Sequence, residues 1–195
     1  SEMCIRDRNN VGSEETTYRI TLEIKRMTEM GELVDIDTAS TSDAEKAALG
    51  LVRYAPRRVT LLPNQPQSIR IGLNAAEGLP DGEYRVHMLF RAVPKTNAVT
   101  EETATNEVKI QLIPLYGIAI PVIIRKGELS VTAALANARL DQGEDGPLLA
   151  FDATRKGNRS VYGEFRVTKP GQAEPLLVQK GIAIYPEIER RKVEL

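Results

Sequence analysis

Side chains that commonly do chemistry are scarce in this sequence. Its 195 residues include one histidine, His87, and one cysteine, Cys4, so neither a His/Cys zinc cluster nor an intrachain disulfide can form. His87 shares an alternating segment with Arg85 and Arg91, and no serine–histidine–aspartate arrangement can be built around it. We expect His87 on the surface of a sheet. These residues predict a protein that is not an enzyme and holds no metal or cofactor.

Charged residues occur in short groups that could bind ions. Glu101-Glu102 and Glu144-Asp145 are predicted to lie in loops, where carboxylates are more commonly solvated than bound to calcium. Arg57-Arg58 and Arg190-Arg191-Lys192 could contact an anion, but no aromatic residues alternate with them, as a platform for single strands requires. Asn158-Arg159-Ser160 matches an N-glycosylation acceptor, a motif that often occurs by chance. With 26 basic and 27 acidic residues, we expect no nucleic-acid partner.

The elements that carry these residues are predicted to be β-strands. Apolar and polar residues alternate with period two over residues 18–24 and 84–91, as in half-buried strands. A turn containing Gly31 predicts a hairpin with the apolar residues that follow it. The exception is residues 42–50, where Ser42 and Glu45 form a capping box and predict a helix of two turns.

Many short strands separated by turns are typical of antiparallel sandwiches. Lys126-Gly127 interrupts the pattern, and a new set of strands follows to the end of the chain. We therefore predict an all-β fold of two immunoglobulin-like β-sandwich domains, residues 13–125 and 126–195. Residues 1–12 show no periodicity and no apolar core of a signal peptide. They are expected to be an unstructured or foreign leader, which leaves the first domain without its N-terminal strand.

The most unusual feature is a long apolar segment over residues 108–124. Pro114 within it cannot donate to a sheet ladder, which predicts a strand at the edge of a sheet. Interruptions at Pro114, Gly117 and Pro121 leave no apolar run of the roughly 20 residues that a membrane helix needs, so no membrane insertion is expected. An apolar edge is either covered by the second domain or binds a strand of a partner. The residues alone leave both alternatives open.

Four stretches resemble the periplasmic assembly chaperones of chaperone–usher pili. They are VRYAPRRVTL with QSIRI at residues 52–61 and 67–71, DGEYRV with AVP at 81–86 and 92–94, the apolar residues of 110–125, and GIAIYPE with Arg191 and VEL at 181–195. The likeness spans roughly residues 18–195. It rests on the order and spacing of the stretches rather than on any single motif.

This resemblance implies a non-catalytic, periplasmic chaperone that binds pilus subunits and delivers them to an outer-membrane usher. Such chaperones donate alternating apolar residues from the last strand of their first domain, an established case of strand addition. The matching residues here are Val108, Ile110 and Leu112. The family also joins its two domains through an acidic residue and an arginine, which match Glu83 and Arg125.

The sequence departs from the family pattern in the residues that hold the terminal carboxylate of a subunit. The family uses an arginine on its first strand and a lysine on the last strand of that domain. Here the first strand is missing or replaced by the leader, and no basic residue lies between Leu112 and Ile124. Arg125 is therefore the remaining candidate anchor. The alternative function is a non-catalytic adhesion or surface structural module whose apolar edge is buried.

Overall fold

The computed structural model describes the backbone of residues 2–9 and residues 14–94, 117–144 and 146–195. Most of the described chain is β-structure, which confirms the predicted fold class. Its helices are a 3-10 turn (Thr38–Ser40) and α1 (Asp43–Leu51). The strands are β1 (Glu2–Asn9), β2 (Thr16–Glu23), β3 (Lys25–Met27), β4 (Leu33–Asp35), β5 (Val52–Ala55), β6 (Arg58–Leu61), β7 (Pro66–Leu73), β8 (Gly82–Val93), β9 (Gly117–Lys126), β10 (Val131–Gly143), β11 (Gly146–Gly157), β12 (Val161–Val167), β13 (Leu177–Ile184) and β14 (Arg190–Glu194). No helix of the described residues is long and apolar enough to span a membrane.

The chain divides into two compact units, each assembled from separated segments. Unit 1 consists of the segments Ser1–Glu23, Leu49–Ala76 and His87–Val122. Unit 2 consists of the segments Ile24–Ala48, Glu77–Val86 and Ile123–Leu195. The domains predicted from the sequence, 13–125 and 126–195, are continuous in the chain. Their boundaries stay a prediction.

Unit 1 is built on two packed sheets with strand orders β1-β7-β5 and β6-β2-β8-β9. Period-two alternation turns Ile20 of the second sheet and Ile69 of the first inward, and each is 1% exposed. The Tyr54 hydroxyl donates to the Ile20 carbonyl at 2.9 Å, which ties the sheets together. Burying such a side chain contributes roughly 1.5–3 kcal/mol, so these alternate positions hold the sandwich.

The first residues of the chain differ from the prediction. Residues 2–9 form a strand, β1, which pairs antiparallel with β7 and places Ile5 opposite Ile69. An edge strand presents unpaired N–H and C=O groups that any extended segment without proline can satisfy. The pairing therefore needs no sequence periodicity, and a search for periodicity misses it.

Unit 2 contains the sheets β10-β11-β14 and β12-β13 and the hairpin β3-β4. Phe151, Ala153, Ile184 and Val193 form a buried cluster. The Phe151 and Phe165 rings meet edge to face with centroids 4.8 Å apart, a favoured aromatic arrangement. Side chains from both sheets thus form one core.

Both elements predicted from local signals are confirmed. In α1, the Glu45 amide donates to Ser42 Oγ at 3.3 Å and the Ser42 amide donates to Glu45 Oε2 at 2.7 Å, the reciprocal pair of a capping box. In the β3-β4 hairpin, Gly31 turns the chain with φ +84°, a conformation that glycine adopts without steric cost.

His87 contradicts its prediction. It is 0% exposed, whereas the sequence predicted a surface position. β8 lies between β2 and β9, and its residues from Val86 to Phe90 are all buried. Period two shows that neighbours face opposite sides of a strand, but not that both sides are covered.

Candidate functional site

The three predicted donor residues, Val108, Ile110 and Leu112, lie outside the described residues. The described part of the same apolar segment is β9. It ends the four-stranded sheet, pairing with β8 on one side, and no strand of the described chain pairs with its other side. Pro121 lies within β9 and has no N–H to donate, as is common in strands with one open edge. Among the described strands, β9 thus lies at the edge of its sheet.

The side chains of β9 differ in exposure along its length. Val122 and Ile124 are buried, whereas Ile118 is 53% exposed. Ile118 contributes to the wall of a cavity of about 80 Å³ in unit 1. The other lining residues are Tyr18, Val59, Leu61, Gln67, Ile69 and Phe90. The edge strand therefore presents an apolar side chain where the sandwich of unit 1 opens to solvent.

Glu83 and Arg125, which the resemblance paired, are in contact. Arg125 Nε donates to Glu83 Oε2 at 3.1 Å. The Glu83 side chain is fully buried, and the Arg125 side chain is 48% exposed. That this pair links the two domains stays a prediction. That Arg125 binds the terminal carboxylate of a subunit also stays a prediction.

Ser160 is the partner of Glu83 that the sequence did not reveal. Its amide and its hydroxyl donate to Glu83 Oε2 at 3.0 and 2.8 Å. In the same loop, Asn158 Oδ1 accepts from the Ser130 amide at 2.9 Å. In the sequence, this loop was noticed only as a possible N-glycosylation acceptor, Asn158-Arg159-Ser160. In the structure, the Asn158 and Ser160 side chains hold the loop before β12 through these hydrogen bonds.

A second network in unit 2 surrounds Arg85. Its guanidinium donates to Glu187 at 3.2 Å and to the Lys25 carbonyl at 2.9 Å. It also stacks 3.6 Å above the Tyr185 ring, a cation–π contact. Glu187 Oε1 accepts from the Met27 amide at 2.7 Å. Burial raises the pKa of Tyr185, so this phenol stays neutral, and the network fastens β3 to the segment before β14.

In the described ranges, no group of three or more His, Cys, Asp or Glu side chains could hold a metal ion. The described carboxylates of Glu83 and Glu187 are held by arginine and backbone donors. Among the described residues, β9 has one side that pairs with no strand, and its Ile118 side chain is exposed.

No family model and no curated protein matches the chain. Solved structures similar to it include the Pseudomonas aeruginosa CupB2 chaperone, with 11% identity, a TM-score of 0.49, and coverage of 99% of this chain and 78% of that one. The class 5 fimbriae chaperone CfaA has 16% identity, a TM-score of 0.47, and coverage of 99% and 78%. The CsuC–CsuE chaperone and tip adhesion subunit complex of Acinetobacter baumannii Csu pili has 10% identity, a TM-score of 0.46, and coverage of 100% and 79%. All three are structures of chaperones, the class of protein that the sequence resembles.

Proposed function

We propose that this protein is a periplasmic chaperone that captures pilus subunits by adding an edge strand to them. The observation that carries the proposal is the position of β9 at the end of its sheet, with one side unpaired among the described strands and Ile118 exposed. The periplasm, the pilus subunit and delivery to an outer-membrane usher enter through the sequence resemblance.

The physical basis of capture is strand addition. An incoming strand would satisfy the open N–H and C=O groups of β9, which supplies affinity for any extended backbone. Alternate apolar side chains would select the partner by filling its groove. Each such side chain contributes roughly 1.5–3 kcal/mol before the cost of association is subtracted. Ile118 with the donor residues Val108, Ile110 and Leu112 would therefore be sufficient to hold a subunit without covalent chemistry.

Peptide binding tests the proposal. The probe is a labelled synthetic peptide with alternating apolar residues at its C-terminal end, and the readout is fluorescence anisotropy. Ile118→Glu and Ile110→Glu are expected to weaken binding by about tenfold or more, since each places a charge against an apolar groove. Ala119→Glu is the matched control, because Ala119 is the exposed neighbour of Ile118 on β9 and points to the other face.

The outcomes separate the two candidate functions. Binding that Ile118→Glu and Ile110→Glu abolish, with unchanged far-UV circular dichroism, supports the chaperone. If the peptide does not bind, or if it binds all three variants equally, the chaperone proposal fails. If Ile110→Glu unfolds the protein, that segment belongs to the core, and an adhesion or surface structural module is favoured.

A further inference from the structure

Three arginines form a row across one face of the four-stranded sheet in unit 1. Arg19 of β2 lies directly opposite Arg58 of β6 and directly opposite Arg91 of β8. All three are exposed. A residue next to each arginine in the chain is buried in the core: Ile20 after Arg19, Val59 after Arg58 and Phe90 before Arg91. Because successive side chains of a strand face opposite sides, this arginine row points away from the core.

The arginine row is unfavourable for the isolated sheet. Directly opposed residues have Cβ atoms about 5 Å apart, and like charges at such positions destabilise the pairing. No carboxylate of the described residues forms an ion pair with Arg19, Arg58 or Arg91. By contrast, Arg85 and Arg125 each meet a glutamate. The row is therefore a concentrated positive charge that the described protein does not neutralise.

We propose that the arginine row binds an acidic segment of a partner protein. A guanidinium presents a planar fork of donors that matches a carboxylate in two parallel hydrogen bonds. The spacing of about 5 Å along the row is close to that of side chains three or four residues apart on a helix. It is also within reach of alternate side chains on a strand, which lie about 6.6 Å apart. Complementary charge is thus the basis of recognition.

The surroundings of the row favour a peptide over other anions. On β2 and β6 the neighbouring outward residues are small and polar, and the Thr17 and Thr60 hydroxyls lie 2.9 Å apart in a hydrogen bond. On β8 the neighbouring outward residues are Leu89 and Val93. Single-stranded nucleic acids require aromatic side chains for stacking, and the adjacent outward positions on β2 and β6 are threonines. Anionic membranes are bound by clusters of about four to eight basic residues, more than this row contains. A short acidic segment of a protein needs neither aromatic side chains for stacking nor a larger basic cluster.

This surface is separate from the edge used in the proposed function. Strand capture uses the backbone edge and the inward side chains of β9, whereas the arginine row uses outward side chains of β2, β6 and β8. Substitutions in the arginine row leave the β9 edge unchanged, and substitutions in β9 leave the arginine row unchanged. Either proposal can therefore fail without the other.

The test uses the full chain and a fluorescein-labelled peptide with a run of consecutive Asp and Glu residues, measured by anisotropy at low and physiological salt. Arg19→Gln is expected to weaken binding by about tenfold, and the triple variant with Arg58→Gln and Arg91→Gln to abolish it. Arg19→Lys keeps the charge but loses the planar fork of donors, so its affinity for the peptide should lie between those of the wild type and Arg19→Gln. Binding should weaken with salt, since the row is exposed. Arg70→Gln is the matched control, because Arg70 is exposed on β7 of the other sheet.

Thermal unfolding separates lost binding from lost folding. Arg19→Gln should not lower the Tm, because it removes repulsion from two flanking arginines. The proposal is overturned if the triple variant and Arg70→Gln bind the peptide equally. It is also overturned if the wild-type protein binds phosphatidylglycerol vesicles or a single-stranded oligonucleotide in preference to the peptide.

Discussion

Replacing Glu83 by glutamine removes a buried negative charge while keeping the shape of the side chain. In the structure one carboxylate oxygen, Oε2, accepts three hydrogen bonds, two from Ser160 and one from Arg125. Glu83 Oε1 is buried and has no hydrogen-bond partner among the described residues. The substitution therefore tests which of the donors depends on the charge.

The expected loss can be estimated from the donors. A hydrogen bond to a charged group contributes roughly 1.5–3 kcal/mol and a neutral one roughly 0.5–1.5 kcal/mol, so each buried donor loses about 1 kcal/mol. Ser160 is buried and supplies two donors. Arg125 is half exposed, and an exposed ion pair contributes at most about 1 kcal/mol. We expect Glu83→Gln to lower the free energy of unfolding by about 2 kcal/mol, mostly through Ser160.

Double-mutant cycles measured by urea unfolding test this assignment. The coupling energy of Glu83→Gln with Ser160→Ala should be about 1 kcal/mol, and with Arg125→Gln about 0.5 kcal/mol or less. The m value should not change. A larger coupling with Arg125 than with Ser160 would refute the reasoning, because the ion pair and not the buried loop contact would then dominate.

Three further substitutions in unit 2 have outcomes set by local geometry. Arg155 is buried and donates to four backbone carbonyls, so Arg155→Lys should lower the unfolding free energy by about 3 kcal/mol in urea, since one ammonium cannot reach all four. A hydrogen bond from the Arg26 guanidinium lowers the pKa of Glu45 from 4.5 to about 2. Its contribution of about 1 kcal/mol should be complete above about pH 4.5 and lost as the pH falls through 2, and Glu45→Gln should remove that part of the pH dependence of Tm. Gly31→Ala places a Cβ against the partly buried guanidinium of Arg191 and should cost at least about 1 kcal/mol more than Gly171→Ala, which has a similar positive φ and open space. Equal losses in urea would show that the Arg191 side chain moves aside at little cost.

Features predicted correctly from the sequence depend on neighbours close in the chain. The capping box of α1 joins residues three apart, and the hairpin turn depends on the backbone freedom of Gly31. Such local signals specify an element whatever surrounds it. The alternation of β8 likewise predicted a strand, because period two is a property of the strand itself.

Features that depend on distant segments could not be predicted. The burial of His87 depends on both faces of β8 being covered from Val86 to Phe90, which alternation along one strand does not show. Ser160 is 77 residues from Glu83, and the sequence around either residue does not indicate that the two are in contact. The pair of Glu83 and Arg125 was found only because the sequence resembles a family. The arginine row was missed because its members belong to three strands whose register the sequence does not specify.

Amide hydrogen exchange along β9 tests most directly whether its outer edge is open to a foreign strand. Without a partner, edge amides such as that of Ala119 should exchange quickly, whereas amides of the interior strand β2 should be protected. Saturation with the alternating apolar peptide should slow exchange of the β9 edge amides by about tenfold or more. The account is contradicted if these amides are already protected in the free protein, or if the bound peptide protects another strand and leaves β9 unchanged.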